Sequence, residues 1–402
     1  MLPRLFFVAA VAAAASCNKH KNNNNNDTTG SGSMSKPADS AQTQGPAKLI
    51  VNTPGKIAIV DFDGSKFVTK GNATATGNPT WAAFAPPNLL YAVDENGDTT
   101  SLLKLDLEKN TINPVSTAKG STGVVHLELT KDKSRMVGAG YGSGNIDIFD
   151  TSGGGLKFSK AIASNDTVGP NKERQAKPHP HQSLLDPSGR YVAVMDLGTD
   201  NVLILNTQKD FEIVNHVPVK PGGCGPRHGA FFPAGASKAE YFIVLCEIKN
   251  LVVVYSVKYT DDKGIELEPV QTVSTFKSEA DAPAKAAAGE VVLAPDNQSL
   301  YVSNRLTGGE TDSIAHFRLL RKDGTLKVQF VGLTSTGGKL PRMFSASADG
   351  KYLFVGNQDG ALGLVALKRG ADGALAEKPV ASIEMSQFPG QLAGPSFVLQ
   401  IA

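Results

Sequence analysis

The chain has 402 residues, of which 41% are hydrophobic, so it is long enough to bury a large core. Its 41 glycines and 23 prolines favour turn-rich β structure over helices. A formal net charge of +2 without a basic cluster argues against a nucleic-acid partner, and no apolar run reaches the roughly 18 residues of a membrane span.

The first 17 residues have the composition of a secretory signal peptide. Arg4 precedes an apolar stretch, and small residues lead up to Cys17. Residues 1–17 are therefore predicted to be a signal peptide, and a secreted, extracellular protein is expected. The run Ala14-Ala15-Ser16-Cys17 also loosely fits a bacterial lipoprotein box, so a lipid anchor at Cys17 in a bacterial envelope is the alternative.

Residues 18–46 are predicted to be a disordered tether, because they are rich in Asn, Ser and Gly and have no apolar periodicity. Four Asn-x-Ser/Thr sequons would be usable in a eukaryotic secretory path and would make the protein a glycoprotein there. They lie at Asn26, Asn72, Asn165 and Asn297.

Beyond the tether, one pattern recurs six times: a short apolar strand, a turn of Pro, Asp and Gly, and a second apolar strand that ends in polar residues. The copies start roughly 45 to 65 residues apart, which is the period of four-stranded propeller blades. A lone hairpin cannot bury its faces and must stack on its neighbours. The copies occupy residues 78–96, 124–141, 180–197, 226–247, 289–305 and 340–358.

A seventh copy is split between the two ends of the repeat region. Residues 394–402 supply a first strand, and the runs at 48–53 and 56–62 lack one. Joining these segments completes a blade and removes the free edges of an open ring. The sequence therefore predicts an all-β, seven-bladed β-propeller over residues 47–402, closed by N- and C-terminal strands that share one blade.

Two columns of the aligned repeats predict where polar side chains meet. The strands of a hairpin are antiparallel, so the start of the first strand lies beside the end of the second, at one mouth of the central channel. The first column contains Thr80, Val125, His181, Arg227, Glu290, Arg342 and Ser396. The second contains Asp94 with Glu95, Tyr141, Asp196, Glu247, Asn304 with Arg305, and Asn357 with Gln358.

This combination of residue types favours a site for a small anionic substrate. A guanidinium fork binds carboxylate or phosphate through two hydrogen bonds, and a histidine titrates near neutral pH. The candidate catalytic residues are His181, Arg227, Glu247 and Arg305, with His181 or Glu247 transferring the proton. The candidate substrate-binding residues are His179, Asp196, Glu290, Arg342 and Asn357. The alternative is a structural ring of ion pairs between blades.

Other residues in these repeats are expected to be structural. His228 should pack against the neighbouring blade, and Tyr141 should be a core aromatic. Cys224 and Cys246 lie close together in the hairpin register, as a disulfide or as two thiols. The sequence has no glycine-rich phosphate loop, no G-x-S-x-G before a helix and no zinc-binding spacing, so neither a cofactor nor a metal is expected.

Several runs closely resemble the seven-bladed propeller lactonases, a family that includes propeller-type 6-phosphogluconolactonases and fungal 3-carboxy-cis,cis-muconate cyclases. The resemblance extends from about Ala47 to Ala402. The runs are PHPHQ (178–182), CGPRHGAFFP (224–233), LCE (245–247), GEVVLAPDNQSLYVSNR (289–305) and PRMFSASADGKYLFVGNQ (341–358). In the cyclase a histidine, two arginines and a glutamate surround the channel mouth; by motif position they correspond to His181 (or His179), Arg227, Arg305 and Glu247.

The chain also departs from the family pattern. Gly140 stands where the family commonly has an asparagine before the tyrosine, and a signal peptide is unusual for enzymes of sugar phosphates or muconates. The resemblance implies an enzyme that forms or opens a lactone ring on a small carboxylated or phosphorylated substrate, as the muconate cyclase does. The signal peptide adds the expectation that this enzyme is exported, and the missing zinc-binding spacing adds the expectation that it is independent of metal. A 6-phosphogluconolactonase-type hydrolase and a non-catalytic extracellular binding propeller are the alternatives. Oligomeric state is not predicted.

Overall fold

The computed structural model describes residues 46–388, 390 and 392–402. In this part of the chain, 28 strands form seven four-stranded antiparallel sheets arranged as the blades of a seven-bladed β-propeller, which confirms the predicted fold class. The predicted signal peptide (1–17), Cys17, Asn26 and the predicted tether up to residue 45 lie outside the described residues.

Blades 1 to 3 follow one another along the chain, and each is a meander whose first strand lines the channel. They consist of β4 (Ala82–Ala85), β5 (Leu89–Val93), β6 (Thr99–Asp106) and β7 (Thr111–Lys119); β8 (Val124–Leu129), β9 (Arg135–Gly140), β10 (Asn145–Asp150) and β11 (Lys157–Ala163); and β12 (Pro180–Leu185), β13 (Tyr191–Asp196), β14 (Asn201–Asn206) and β15 (Glu212–Pro218).

Blades 4 to 6 repeat this arrangement, and blade 7 combines the two ends of the chain. Blades 4 to 6 consist of β16 (Pro226–Phe232), β17 (Tyr241–Cys246), β18 (Leu251–Thr260) and β19 (Gly264–Ser274); β20 (Ala287–Leu293), β21 (Ser299–Arg305), β22 (Ser313–Lys322) and β23 (Thr325–Ser335); and β24 (Gly338–Ala346), β25 (Tyr352–Gly360), β26 (Leu362–Lys368) and β27 (Ala381–Glu384). Blade 7 consists of β28 (Phe397–Gln400), β1 (Ala47–Thr53), β2 (Lys56–Phe62) and β3 (Phe67–Thr74).

Helical structure in the described ranges is limited to short 3₁₀ turns at Ser152–Gly154, Thr207–Lys209, Glu279–Asp281 and Met385–Gln387. Within the same ranges, no helix has the length and apolar composition needed to cross a membrane.

Strands from the two ends of the repeat region close the ring, as the split repeat predicts. Ile50 of β1 pairs with Leu399 of β28, and Val51 pairs with Val398. Phe397 and Val398 are buried, so the closure also contributes to the apolar core. Blade 7 therefore has the same four-strand order as the other blades.

Apolar side chains between adjacent blades form the core, because successive residues of a strand point to opposite faces. In β17, Phe242 and Val244 contact blade 3, whereas Ile243 and Leu245 contact blade 5. A strand that is buried on both faces needs an apolar residue at nearly every position, which is why the second strand of each repeat is so hydrophobic.

Five of the channel-lining strands contain a β-bulge near their start. The register with the second strand shifts there, so one or two residues have no partner across the ladder. A bulge re-aims side chains and is common beside active sites. The unpaired residues are Val125, His181, Arg227, Gly289 with Glu290, and Arg342, and these bulges position the site described next.

Candidate active site

The centre of the channel mouth is a carboxylate surrounded by three arginines. Glu247 directly follows β17, and its side chain is only 6% exposed. Oε2 of Glu247 lies 2.9 Å from Nε of Arg227 and 3.0 Å from Nη2 of Arg305, and Nη2 of Arg174 contacts Oε1. Burial raises the pKa of Glu247, but Arg305, Arg227 and Arg174 outweigh it and lower the pKa to about 2. Glu247 is therefore ionised at neutral pH.

Backbone carbonyls of β20, in blade 5, fix the two buried arginines. Nη1 of Arg227 donates to the carbonyl of Gly289 at 2.6 Å, and Nη2 of Arg305 donates to that of Ala288 at 3.0 Å. A Cβ at Gly289 would lie 2.6 Å from Oγ of Ser303 and 3.0 Å from Nε of Arg305, so the glycine leaves room for that arginine. Burial lowers the pKa of both arginines, yet a guanidinium beside a carboxylate keeps its charge.

Arg174 is a site residue that the sequence analysis missed. It comes from the loop between β11 and β12, and its side chain is 39% exposed. The next residue, Gln175, holds this loop in place by donating from Nε2 to the carbonyl of Leu197 and to Oδ1 of Asp200, both at 2.8 Å. The loop has no strand periodicity and contains several charged residues, so no sequence signal distinguished Arg174 from its neighbours.

His179 lies at the rim and stacks on Tyr141, with ring centroids 4.3 Å apart. Its Nδ1 lies 2.7 Å from the carbonyl oxygen of Tyr141, which can only accept, so Nδ1 carries the hydrogen and Nε2 has the free lone pair. The expectation that Tyr141 is a core aromatic is wrong, because its ring is half-buried at the mouth and also meets His181 edge-on.

Below the rim, a cluster of histidines occupies the channel. The ring of His181 lies 5.1 Å from that of His228, which in turn lies 5.7 Å from that of His126. All three are buried, and each has one ring nitrogen without a hydrogen-bond partner: Nδ1 of His126, Nδ1 of His181 and Nε2 of His228. Burial, followed by the charge of Arg227, holds the pKa of His181 well below its usual range. His181 is therefore neutral at physiological pH.

The prediction that His228 packs against the neighbouring blade is only partly correct. It does reach the neighbouring blade, where its Nδ1 lies 2.7 Å from Oε1 of Glu290. Its other face meets the rings of Trp81, His126 and His181 inside the channel. The bulge at Arg227 shifts the strand register just before His228, so simple alternation does not hold there.

Three of the candidate substrate-binding residues do not face the open mouth. Asp196 is fully buried and accepts hydrogen bonds from Ser164 and from the backbone N–H groups of His179, Gly198 and Thr199. Asn357 is fully buried and donates to the carbonyls of Thr336 and Leu362. Glu290 is 4% exposed and bonds to His228. These residues stabilise loops and the histidine cluster, because their polar groups are directed at neighbouring protein atoms.

Arg342, by contrast, lies at the mouth. Its Nη2 lies 2.7 Å from Oε2 of Glu95, and the two side chains are 19% and 23% exposed. They belong to blades 6 and 1, so this ion pair spans blade 7. The structure thus brings together His179, His181, Arg227, Glu247, Arg305 and Arg342 from the predicted set.

Two further features complete the site. Cys224 and Cys246 form a disulfide with a Cα–Cα distance of 5.0 Å, which ties together the segments that precede Arg227 and Glu247. Across residues 46–388, 390 and 392–402, no group of three or more His, Cys, Asp or Glu side chains is arranged to hold a metal ion.

Comparisons with known proteins agree with the propeller fold. The family model described as "Lactonase, 7-bladed beta-propeller" matches residues 48–385. A protein of the fungus Arthroderma benhamiae named "Probable 6-phosphogluconolactonase" is 30% identical over 313 residues, which cover 75% of this chain and 77% of the relative.

Solved structures of other proteins show the same propeller fold. A Bacteroides fragilis protein described as "a putative 6-phosphogluconolactonase" superposes with a TM-score of 0.71 at 27% identity, covering 86% of this chain and 99% of the other. The Pseudomonas aeruginosa periplasmic gluconolactonase shares the fold, with a TM-score of 0.72 at 24% identity over 89% of this chain and 99% of that one. The chain belongs to the seven-bladed β-propeller lactonase family.

Proposed function

We propose that the protein is a lactone hydrolase that opens the ring of a small anionic sugar lactone, of the type that 6-phosphogluconolactonases use. One observation carries this proposal: three arginines converge on Glu247 at the channel mouth, next to neutral histidines. The family and the names of its relatives support ring opening rather than the cyclase activity expected first. Ring closure is the reverse of the same reaction.

Each group at the mouth has a distinct role. Arg174 and Arg342 are the most exposed arginines of the site and bind the phosphate or carboxylate of the substrate. Arg227 and Arg305 stabilise the negative charge that develops on the lactone carbonyl oxygen. Glu247, with its pKa lowered to about 2, is too weak a base to activate water and instead keeps the arginines in place.

The proton is transferred by His181. Its neutral ring accepts a proton from water as the water oxygen attacks the carbonyl carbon. The ester C–O bond of the ring then breaks, and the departing oxygen takes the proton. We assign this role to His181 and not to Glu247, the alternative from the sequence, because three arginines hold Glu247 in its ionised form and lower its pKa to about 2.

The decisive test is a titration assay of acid release on phosphorylated and unphosphorylated aldonolactones, corrected for spontaneous hydrolysis. We expect faster turnover of the phosphorylated lactone. We also expect kcat/KM to be roughly 10- to 100-fold lower in Arg227→Ala, because this variant loses a hydrogen bond between a charged group and the substrate. Arg321→Ala, on the outer surface, is the matched control. Anion binding without turnover of any lactone would contradict the proposal and favour a non-catalytic binding propeller.

We also propose that the protein acts in an oxidising compartment outside the cytoplasm. The disulfide between Cys224 and Cys246 supports this, because such bonds persist mainly in exported proteins. The signal-like segment 1–17 is consistent with it. Thiol labelling with mass spectrometry, on protein from cells and from their surroundings, should find the oxidised form outside; protein retained entirely inside cells would contradict export.

A further inference from the structure

A buried line of polar groups leads away from His181 into the wall of the channel. Oε1 of Glu290 lies 2.7 Å from Nδ1 of His228, and both side chains are at least 95% excluded from solvent. The rings of His228 and His181 are 5.1 Å apart. Nε2 of His228 and Nδ1 of His181 are both buried without a partner. None of the roles proposed above uses Glu290 or His228.

When Glu290 is ionised, the hydrogen-bond requirements of these atoms favour one arrangement of protons. Oε1 of Glu290 also accepts from the backbone N–H of Val291 at 3.1 Å, so an ionised Glu290 accepts from Nδ1–H of His228. Nε2 of His228 is then an acceptor, and buried polar atoms need partners. Nδ1–H of His181 can satisfy it through one water, for which the cavity of about 10 Å³ that both residues line has room. Nε2 of His181 is left as the free base.

We propose that Glu290 and His228 form a proton relay behind His181, in which Glu290 stores the proton taken from the attacking water. This relay rests on the proposed hydrolase function. Water gives a proton to Nε2 of His181, Nδ1 of His181 passes its proton through the bridging water to Nε2 of His228, and Nδ1 of His228 passes its proton to Glu290. The carboxylate becomes a neutral acid, and the reverse sequence protonates the departing ring oxygen.

The charges around the cluster explain why the proton should not stay on His181. Arg227, Arg342 and Arg305 all disfavour an imidazolium there, as does burial. A carboxylate that takes up the proton loses charge instead of gaining it, so burial favours the protonated acid. Burial raises the pKa of Glu290 to about 8, against the opposing effect of Arg227 and Arg305. The fraction of molecules whose Glu290 is ionised, and can take up the proton, therefore rises as the pH increases through about 8.

The remaining neighbours of the relay add no competing charge. Trp81 and His126 contact His228 from blades 1 and 2, and burial keeps His126 neutral by holding its pKa well below the usual range. Oγ of Ser303 accepts from the backbone N–H of Glu290 at 2.8 Å. Glu247, the nearest carboxylate at the mouth, is already neutralised by its arginines.

Infrared spectroscopy of the full-length protein tests the relay without any substrate. Glu128 is a second carboxylate whose pKa burial raises to about 8, so the band of Glu290 is read from the difference between the spectra of wild-type protein and Glu290→Gln. In that difference the carbonyl stretch of a protonated carboxylic acid should be present at pH 6 and disappear as the pH rises through about 8. His228→Gln should shift the pH at which it disappears, whereas His316→Gln, a buried histidine bonded to Ser299 outside the channel, should not. A Glu290 carboxylate that is ionised at pH 6 would overturn the proposal.

Kinetics provide the second test. Glu290→Gln and His228→Gln should lower kcat roughly 10- to 100-fold with little change in KM, and should abolish the rise of kcat with pH through about 8. A Glu290→Gln enzyme with the wild-type kcat and pH profile would overturn the relay. If wild-type protein hydrolyses no lactone but shows the pH-dependent carboxyl band and its shift in His228→Gln, the hydrolase proposal fails while the buried proton-sharing pair stands.

Discussion

Nε of Arg227 lies 2.9 Å from Oε2 of Glu247, and the two side chains are only 2% and 6% exposed. They come from one hairpin of blade 4, Arg227 from a bulge near the start of β16 and Glu247 from just beyond the end of β17. Arg305 of blade 5 and Arg174 of the loop before blade 3 then join this pair. One blade therefore supplies the centre of the site, and its neighbours supply the surrounding charge.

Removing the central carboxylate should destabilise the protein. Glu247→Gln leaves three arginines without their counter-charge, and breaking a buried ion pair costs about 3–5 kcal/mol. Urea unfolding at pH 7 measures the loss. Glu240→Gln, which affects an exposed pair with Arg321, is the matched control and should change stability by less than about 1 kcal/mol. Equal stability of both variants would contradict the central role of Glu247.

The same variant should change the pH dependence of stability. The pKa of Glu247 is about 2 in the folded protein, against an ordinary value of 4.5. Its stabilising contribution is therefore complete above about pH 4.5 and is lost as the pH falls towards 2. Urea unfolding between pH 2 and 6 should show a steeper loss of stability in the wild-type protein than in Glu247→Gln; parallel curves would contradict the lowered pKa.

Arg174→Ala should weaken binding of phosphorylated substrate more than it lowers turnover. Its side chain is 39% exposed, so solvent screens its charge, and we expect KM to rise about 10-fold at low salt and less at high salt. Lys172→Ala, an exposed cation on the same loop, is the control. A KM that is independent of salt and equal in both variants would exclude Arg174 from the binding site.

Gly289→Ala should displace Arg305 while leaving the fold intact. The added methyl group would lie 3.0 Å from Nε of Arg305 and 2.6 Å from Oγ of Ser303, so one of these groups has to move. Overpacking of this kind costs about 1–3 kcal/mol, and kcat/KM should fall about 10-fold. Gly332→Ala, where nothing lies within 4 Å, is the control. Unchanged kcat/KM in Gly289→Ala would show that the position of Arg305 does not limit the reaction.

Ring closure should be a major source of stability. Phe397 is 1% exposed in β28, and its replacement by alanine should cost about 3–5 kcal/mol through the lost burial and the cavity that remains. Val331→Ala, at an exposed position of an outer strand, should have little effect. Thermal unfolding measures both variants. A melting temperature of Phe397→Ala close to that of the wild type would argue against closure through β28.

The fold could be predicted because the first two strands of each repeat and the turn between them are close together in the sequence. The apolar strands of residues 180–197 and 226–247, separated by turn residues, match β12–β13 and β16–β17 closely. The pairing of the segments at Leu49–Val51 and Phe397–Leu399 could be predicted by counting unpaired strands, because closing the ring removes its free edges. The register, in which Val51 pairs with Val398, came only from the structure.

The site was only partly predictable. The type of a residue and its position in the repeat do not determine the direction of its polar side-chain atoms. Asp196 and Asn357 stand in the same column as Glu247, yet neither side chain bonds to the side chain of another site residue. Asp196 bonds to backbone N–H groups and to Ser164, and Asn357 bonds to backbone carbonyls. Arg174 lies on a loop without periodicity, where only the tertiary structure places it beside Glu247. The bulge at Arg227, which brings His228 into the channel, has no sequence signature comparable to a turn.

The pairing of β1 with β28 also sets an order of events during synthesis. The three blades around Glu247 are contiguous in the chain, so they can dock on one another while blade 6 is still being translated. The contact between Arg342 and Glu95 spans blade 7, whose innermost strand, β28, is synthesised after the other 27 strands of the structure. We therefore expect this ion pair to form only after β28 has paired with β1 and closed the ring. A probe of the contact between Arg342 and Glu95 would then distinguish a nascent, open ring from the finished protein.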